Sequence, residues 1–265
     1  MVNAMNNRIP LAWPRARAGY NAEPAFHAEL SAQHTVDISG VLHSVASQVE
    51  GEYVYALRMY CSNQPGLAHG YLLRAEYVYR TYGRQENYDL VPAHTPDAAL
   101  YNRGRAGTFA AWTELALHRR WSVELLRSGL QDLHDYLMAQ SYDATRAYEH
   151  EDQERLFTVL CQMALGQFDA AGQWLDAYIK HRKLKKLKEN FPELLAGIQA
   201  QLSQGSGTVA EPFKSYFDQN RLGNYKFAET QYFWLCVPIA VVMERIEKEW
   251  QGPPVWGAAL EYLLY

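Results

Sequence analysis

Two segments of the chain gather enough charged and ring-bearing side chains to do chemistry. Residues 142–154 place Tyr142 and Tyr148 ahead of Glu149, His150, Glu151, Asp152 and Glu154. Residues 180–188 place Lys180, His181, Arg182, Lys183, Lys185, Lys186 and Lys188 around Leu184 and Leu187. On a helix, His150 and Glu154 share a face, as two ligands of a metal site do. The sequence nominates no third ligand, so a solvated acidic face is the stronger reading. The basic run can meet phosphate or an acidic partner and superficially resembles a nuclear localisation signal. A solvated turn between two helices accounts for it more simply, because the rest of the chain is net negative. His134-Asp135 is the remaining acid–base pair, and no partner that would orient it is visible.

Motifs that would organise such residues into an enzyme are missing. There is no phosphate loop of the GxxxxGK[ST] type, no GxGxxG after a strand, no GxSxG elbow and no HExxH. Arg103-Gly104-Arg105-Ala106-Gly107 is glycine-bearing and basic but follows no strand, and reads as a turn or a frayed helix start. The expectation is therefore of no catalytic residue, no metal and no cofactor. An acidic patch flanked by tyrosines suits a different task, binding a basic protein, since complementary charge steers encounter and buried aromatics hold the complex. Tyr142, Tyr148, Glu149, Glu151, Asp152 and Glu154 are the candidate contact residues, with the 83–96 loop second.

The elements that must position these residues are helices. From Ile38, apolar positions recur as Val41, Leu42, Val45, Val49, Tyr53, Ala56, Leu57 and Tyr60, the three-and-four spacing of one helix face. Asp37 stands where an N-cap belongs, and Asn63-Gln64-Pro65-Gly66 ends the helix. A second helix over 67–82, with Ala68, Leu72, Ala75, Tyr79 and Tyr82 on one face, stops at Gly83 and makes an antiparallel hairpin with the first. Further helices are expected from Thr95-Pro96-Asp97 to about His118 and from Ser122 through Val123, Leu126, Leu130, Leu133 and Leu137. Others follow over about 147–165, 168–181, 192–203 and 224–249, with a short one near 256–264. No strand-like alternation is sustained. The fold class is thus all-α, built of irregular antiparallel helical hairpins with no sheet.

Residues 1–37, broken by Pro10, Pro14 and Pro24, read as an irregular leader to a single helical domain over 38–265. Gln204-Gly205-Ser206-Gly207 is the one stretch of linker composition, short enough to be a loop. Leu165-Gly166-Gln167-Phe168-Asp169-Ala170-Ala171 resembles the turn of tetratricopeptide repeats, and Leu222-Gly223-Asn224-Tyr225-Lys226-Phe227-Ala228 repeats it. The two are separated by more than the ~34 residues of a true array, so tetratricopeptide-like packing stays open without a regular repeat.

Composition narrows the class further. Hydrophobic residues are 48% and charged residues 20% of the chain, with a net charge of -4. That is globular, with no global field for nucleic acid or a membrane surface. Aromatic residues are abundant (19 Tyr, 7 Trp and 9 Phe), which suits helix packing and partner surfaces alike. Cys61, Cys161 and Cys236 are scattered through apolar stretches, as buried thiols in a reducing compartment are. The N-terminal segment carries Arg8, Arg15 and Arg17 but no continuous apolar core. The apolar run from Tyr232 to Met243 contains Pro238 and falls short of the roughly 20 residues a spanning helix needs. The expected location is the cytoplasm.

Taken together, the long opening helix, the hairpin carrying Arg74-Ala75-Glu76, Trp112 with the His118-Arg119-Arg120-Trp121 junction, and the Ala164–Leu175 turn resemble the all-helical immunity proteins of bacterial polymorphic-toxin and contact-dependent systems. The resemblance is one of pattern over roughly residues 38–250 and carries no shared site residue. It implies a cytoplasmic, non-catalytic protein that binds its cognate protein toxin, in a 1:1 complex, with neither nucleic acid nor membrane as partner. A homodimer stays open. The alternatives are a tetratricopeptide-like adaptor that holds a peptide and an all-α enzyme using His134 and Asp135.

Overall fold

The computed structural model describes residues 38–61, 64–83, 96–118, 122–139, 149–185, 189–220 and 235–247. These residues form nine helices and no strand, as the spacing of apolar residues predicts. The helices are α1 (Ile38–Cys61), α2 (Pro65–Tyr82), α3 (Pro96–His118), α4 (Val123–Ala139), α5 (Glu149–Ala164), α6 (Phe168–Lys185), α7 (Pro192–Gln204), α8 (Glu211–Asn220) and α9 (Cys236–Glu247). None of them is long and apolar enough to cross a membrane. The leader at 1–37, the second repeat-like turn at 222–228 and the short helix near 256–264 lie outside the described residues.

The chain divides into two compact units, residues 1–118 with 122–136, and residues 119–121 with 137–265. In the first, Val45, Ala46, Val49, Tyr53, Ala56 and Leu57 of α1 are buried against Ala68, Tyr71, Leu72, Ala75 and Val78 of α2 and against α3. Pro65, expected to help end α1, instead occupies the first position of α2, where its missing N–H costs nothing. Tyr53 meets Phe109 at 5.7 Å between ring centroids, and Trp112 is fully buried.

α4 joins this unit through the glycines of α3. The expectation of a turn or frayed start at Arg103–Gly107 is corrected, because these residues lie within α3. A Cβ on Gly104 would stand 2.7 Å from the Leu133 nitrogen, and one on Gly129 would stand 2.7 Å from the Thr108 nitrogen. Glycine is required there because two helix backbones cross with no room for a side chain. Arg103 Nη2 donates to Asp132 Oδ1 at 2.6 Å, and Tyr101 and Tyr136 pack with centroids 4.6 Å apart. Both contacts fix the same crossing.

The second unit is organised by α5, whose residues 152–164 are all buried, and by α9, nearly all of which is buried. The turn between α5 and α6 is the repeat-like one. Gly166 has φ 77°, the Gly166 nitrogen donates to Met163 O at 2.8 Å and the Gln167 nitrogen donates to Gln162 O at 2.9 Å. These are the paired bonds of a Schellman turn, which needs a left-handed residue. The 204–207 segment is the turn between α7 and α8. The buried Gln201 amide organises it by donating to Gly205 O at 2.8 Å and Thr208 O at 3.0 Å, and by accepting from the Ala210 nitrogen at 2.7 Å. α8 has no counterpart in the expected helices. It is short, begins Glu211-Pro212, and shows only Phe213 and Phe217 as its buried stripe. Cys161 and Cys236 are buried. Burial pushes the Cys236 thiol up to about 12, and its Sγ donates to Asn220 O at 3.2 Å.

Gly129→Ala is expected to lower unfolding stability by about 1–3 kcal/mol through overpacking of the α3–α4 crossing. Gly172→Ala, a helical position with open space around it, is expected to raise stability by about 0.5–1 kcal/mol. Urea unfolding of the two variants checks the opposite signs.

Candidate functional site

On the α1–α2 hairpin, Tyr55 touches Tyr71 and Glu52 touches Arg74, an order that makes the two helices antiparallel. Each helix supplies one residue to each of two adjacent layers. In the outer layer the Tyr55 and Tyr71 rings stack, with centroids 5.6 Å apart and planes 25° from parallel. Arg58 lies over the outer ring, its Cζ 5.7 Å from the Tyr55 centroid. Tyr55 keeps 37% of its surface exposed while Tyr71 is buried. A large amphipathic ring thereby stands at the surface packed between a second ring and a guanidinium.

Directly beneath lies a buried ionic layer. Glu52 and Arg74 are each 1% exposed, with Arg74 Nε 3.2 Å from Glu52 Oε1. The same Oε1 accepts from the Gln48 amide, whereas the buried Oε2 has no hydrogen-bond partner. Burial pushes the Glu52 carboxyl up to about 8, against the opposing pull of Arg74 and Gln48. Burial also raises the Tyr71 hydroxyl to about 12, with the Glu52 and Tyr55 charges adding to the effect. Around this layer, Arg105 of α3 is bound by Glu50. At the exposed end of α3, His118 Nε2 and Glu76 Oε1 are 2.7 Å apart, and Arg80 reaches the same oxygen at 2.6 Å. Arg74-Ala75-Glu76 therefore contributes one buried and one surface ion pair to the first unit.

The residues expected to form an acidic binding face are placed differently. Tyr142 and Tyr148 lie outside the described residues. Glu149 and Glu151 fall in the first turn of α5. Asp152 and Glu154 are buried, which corrects the expectation of a solvated acidic face at these two positions. The physical reason is that α5 runs through the interior of its unit from Asp152 onward, and Asp152 is met by the end of α6 and the segment before α7. Arg182 pairs with Asp152 through Nη1 and with Glu189 through Nε at 3.1 Å, and it lies over the Tyr178 ring with Cζ 5.5 Å from the centroid. Asn190 Nδ2 donates to Asp152 Oδ2 at 2.6 Å. Tyr178 Oη donates to Glu189 Oε1 at 3.1 Å, and the same oxygen accepts from the Phe191 nitrogen at 3.0 Å. Burial, with Asp152 and Glu189 adding to it, pushes the Tyr178 hydroxyl far above its ordinary value. Burial opposes the charge on Arg182, but Asp152, Tyr178 and Glu189 outweigh it and hold the guanidinium above its ordinary value.

Asp152 of the acidic run and Arg182 of the basic run thus meet inside the second unit, and Arg182 is a structural ion rather than part of a solvated turn. Lys180 and Lys183 of the same run are exposed. His134 is half-buried on α4, and the neighbouring exposed Asp135 accepts from Gln131 at 2.7 Å. Consecutive residues on a helix do not face each other, so these two do not converge on one reacting atom. Among the described residues no cluster of His, Cys, Asp and Glu is placed to hold a metal ion. Of the expected loop at 83–96, residues 84–95 lie outside the described residues. The Tyr55–Tyr71 platform was not singled out from the sequence. The available signal was the three-residue spacing that sets Tyr55 one turn from Glu52 and Tyr71 one turn from Arg74, which gains meaning only once the hairpin register is known. No protein-family model matches the chain, and neither does any curated protein or solved structure.

Asp152→Ala removes the most buried partner of Arg182 and leaves it Glu189 alone, which is expected to cost about 2–3 kcal/mol of stability, whereas exposed Lys183→Ala stays within about 0.5 kcal/mol. Chemical denaturation distinguishes the two. The raised Glu52 carboxyl sets a separate pH dependence. Between the ordinary value of 4.5 and about 8 the folded chain binds the extra proton, so this group's contribution to stability is lost as pH rises through that window. Thermal unfolding of Glu52→Gln between pH 5 and 8.5 is expected to show a flatter profile than the native chain.

Proposed function

We propose that the chain is a non-catalytic protein-binding module, an immunity protein that binds and neutralises a cognate bacterial toxin in the cytoplasm of the toxin-producing cell. The observation that carries this reading is the stacked Tyr55–Tyr71 platform under Arg58, presented by a rigid helical hairpin. Tyr and Arg dominate the few residues that supply most of the energy of protein–protein contacts, and they do so best when held in place beforehand. Glu149 and Glu151 offer a second contact region, acidic and suited to steering a basic partner rather than anchoring it. The Schellman-turned α5–α6 hairpin supports a second reading, an adaptor that holds a linear peptide between stacked hairpins. The two differ in affinity, since an adaptor binds peptides in the micromolar range and an immunity protein binds one folded toxin far more tightly.

A growth-rescue assay tests the first reading. Cells expressing the chain are expected to survive induction of the toxin-domain gene beside its own, and Tyr55→Ala is expected to abolish rescue while thermal unfolding is unchanged. With the purified pair, Tyr55→Ala should weaken the complex at least about tenfold, in line with loss of an aromatic anchor. Glu149→Lys with Glu151→Lys should slow association and reduce its salt dependence. Full rescue by the Tyr55→Ala variant would remove the platform from the interface, and a metabolic gene neighbourhood with no toxin would overturn the reading.

A further inference from the structure

The two layers of the α1–α2 hairpin are mechanically linked. Glu52 and Tyr55 are three residues apart on α1, and Tyr71 and Arg74 are three apart on α2, so each ion of the buried pair sits one turn from a ring of the platform on the same helix face. Within the buried layer the bonding is lopsided. Glu52 Oε1 meets both the Gln48 amide and Arg74 Nε, while Oε2 is buried with no donor. A carboxylate in this setting leaves part of its charge on an oxygen that nothing compensates, and adding a proton removes that charge. The titratable and charged groups coupled to Glu52 are Arg74 and Tyr71 of α2, and Tyr55 of its own helix is coupled to Tyr71. On α3, which also packs on α1, Arg105 is engaged by Glu50.

We propose that Glu52 and Arg74 form a proton-operated pair that sets the position of the Tyr55–Tyr71 platform. With Glu52 neutral, the layer is as described and the rings stack. When Glu52 ionises, the unmatched Oε2 must acquire a donor. It does so either by drawing the Arg74 guanidinium across to it, which moves the α2 turn bearing Tyr71, or by admitting water between the helices. Either response shifts the ring that holds Tyr55. The rise of the Glu52 carboxyl to about 8 puts this event near neutral pH, and the coupling of Tyr71 to the Glu52 charge runs in the same direction. Glu52 is a positioning residue here, and the proposal concerns the free protein whatever the platform binds.

The test is an NMR titration of the full chain from pH 6 to 9.5 that follows the Glu52 side-chain carboxyl carbon and the ring signals of Tyr55 and Tyr71. All three are expected to move with one shared midpoint near 8. Glu52→Gln is expected to abolish the ring titration, and Glu50→Gln is expected to preserve it. A Glu52 carboxyl already ionised at pH 6, rings that do not move across the range, or a ring titration that persists unchanged in Glu52→Gln would each overturn the proposal. If Glu52→Gln fails to fold, the shared midpoint in the native chain still decides it. Loss of the toxin-binding reading leaves this result untouched, because no partner is present in the measurement.

Discussion

Burying Asp152 at the start of α5 obliges the fold to bring Arg182 and Asn190 to meet it. α5 is enclosed from Asp152 to Ala164, and a helix enclosed in this way normally carries apolar residues throughout. This one opens with acidic residues instead. An isolated buried carboxylate is costly enough to unfold a domain of ordinary stability, so the end of α6 and the start of α7 are committed to that place. Glu189 then bridges Arg182, Tyr178 and the first backbone nitrogen before α7. One electrostatic obligation therefore fixes three helices of the second unit.

The first unit solves its packing with the same device, distributed over more pairs. Glu52–Arg74 ties α1 to α2, Glu50–Arg105 ties α1 to α3, and Arg103–Asp132 ties α3 to α4. Apolar stripes bring these helices together without direction, whereas ion pairs and glycine crossings admit one register. The Gly104–Gly129 contact works in the same sense, since a backbone-to-backbone approach is lost on sliding by a single residue. Specificity of register, more than added stability, is what buried pairs of this kind contribute.

Asp152 and Arg182, two of the charges that looked available for a partner, are consumed internally, which moves attention to an aromatic feature. Tyr55 is exposed yet packed against Tyr71 and Arg58, contacts that restrict its side chain. A protein-binding reading gains from this because ordering a side chain on association costs free energy that the hairpin has already spent.

The sequence by itself determined the helical class and most helix positions. It did so because apolar side chains on a helix repeat every three or four residues wherever one face is buried, and Val45, Val49, Tyr53 and Leu57 or Leu126, Leu130, Leu133 and Leu137 show that repeat plainly. It also determined the α5–α6 turn, since Gly166 meets a local backbone demand that no distant residue alters. It missed α8, whose two phenylalanines are too few to establish a period. It misjudged Asp152, Glu154 and Arg182, because a charged residue looks the same in sequence whether water or an opposite charge compensates it. That choice, like the assignment of Gly104 to a helix crossing and of Tyr55 to a platform above Glu52, depends on residues distant along the chain. Only the tertiary structure, by setting the register between helices, decided which of them meet.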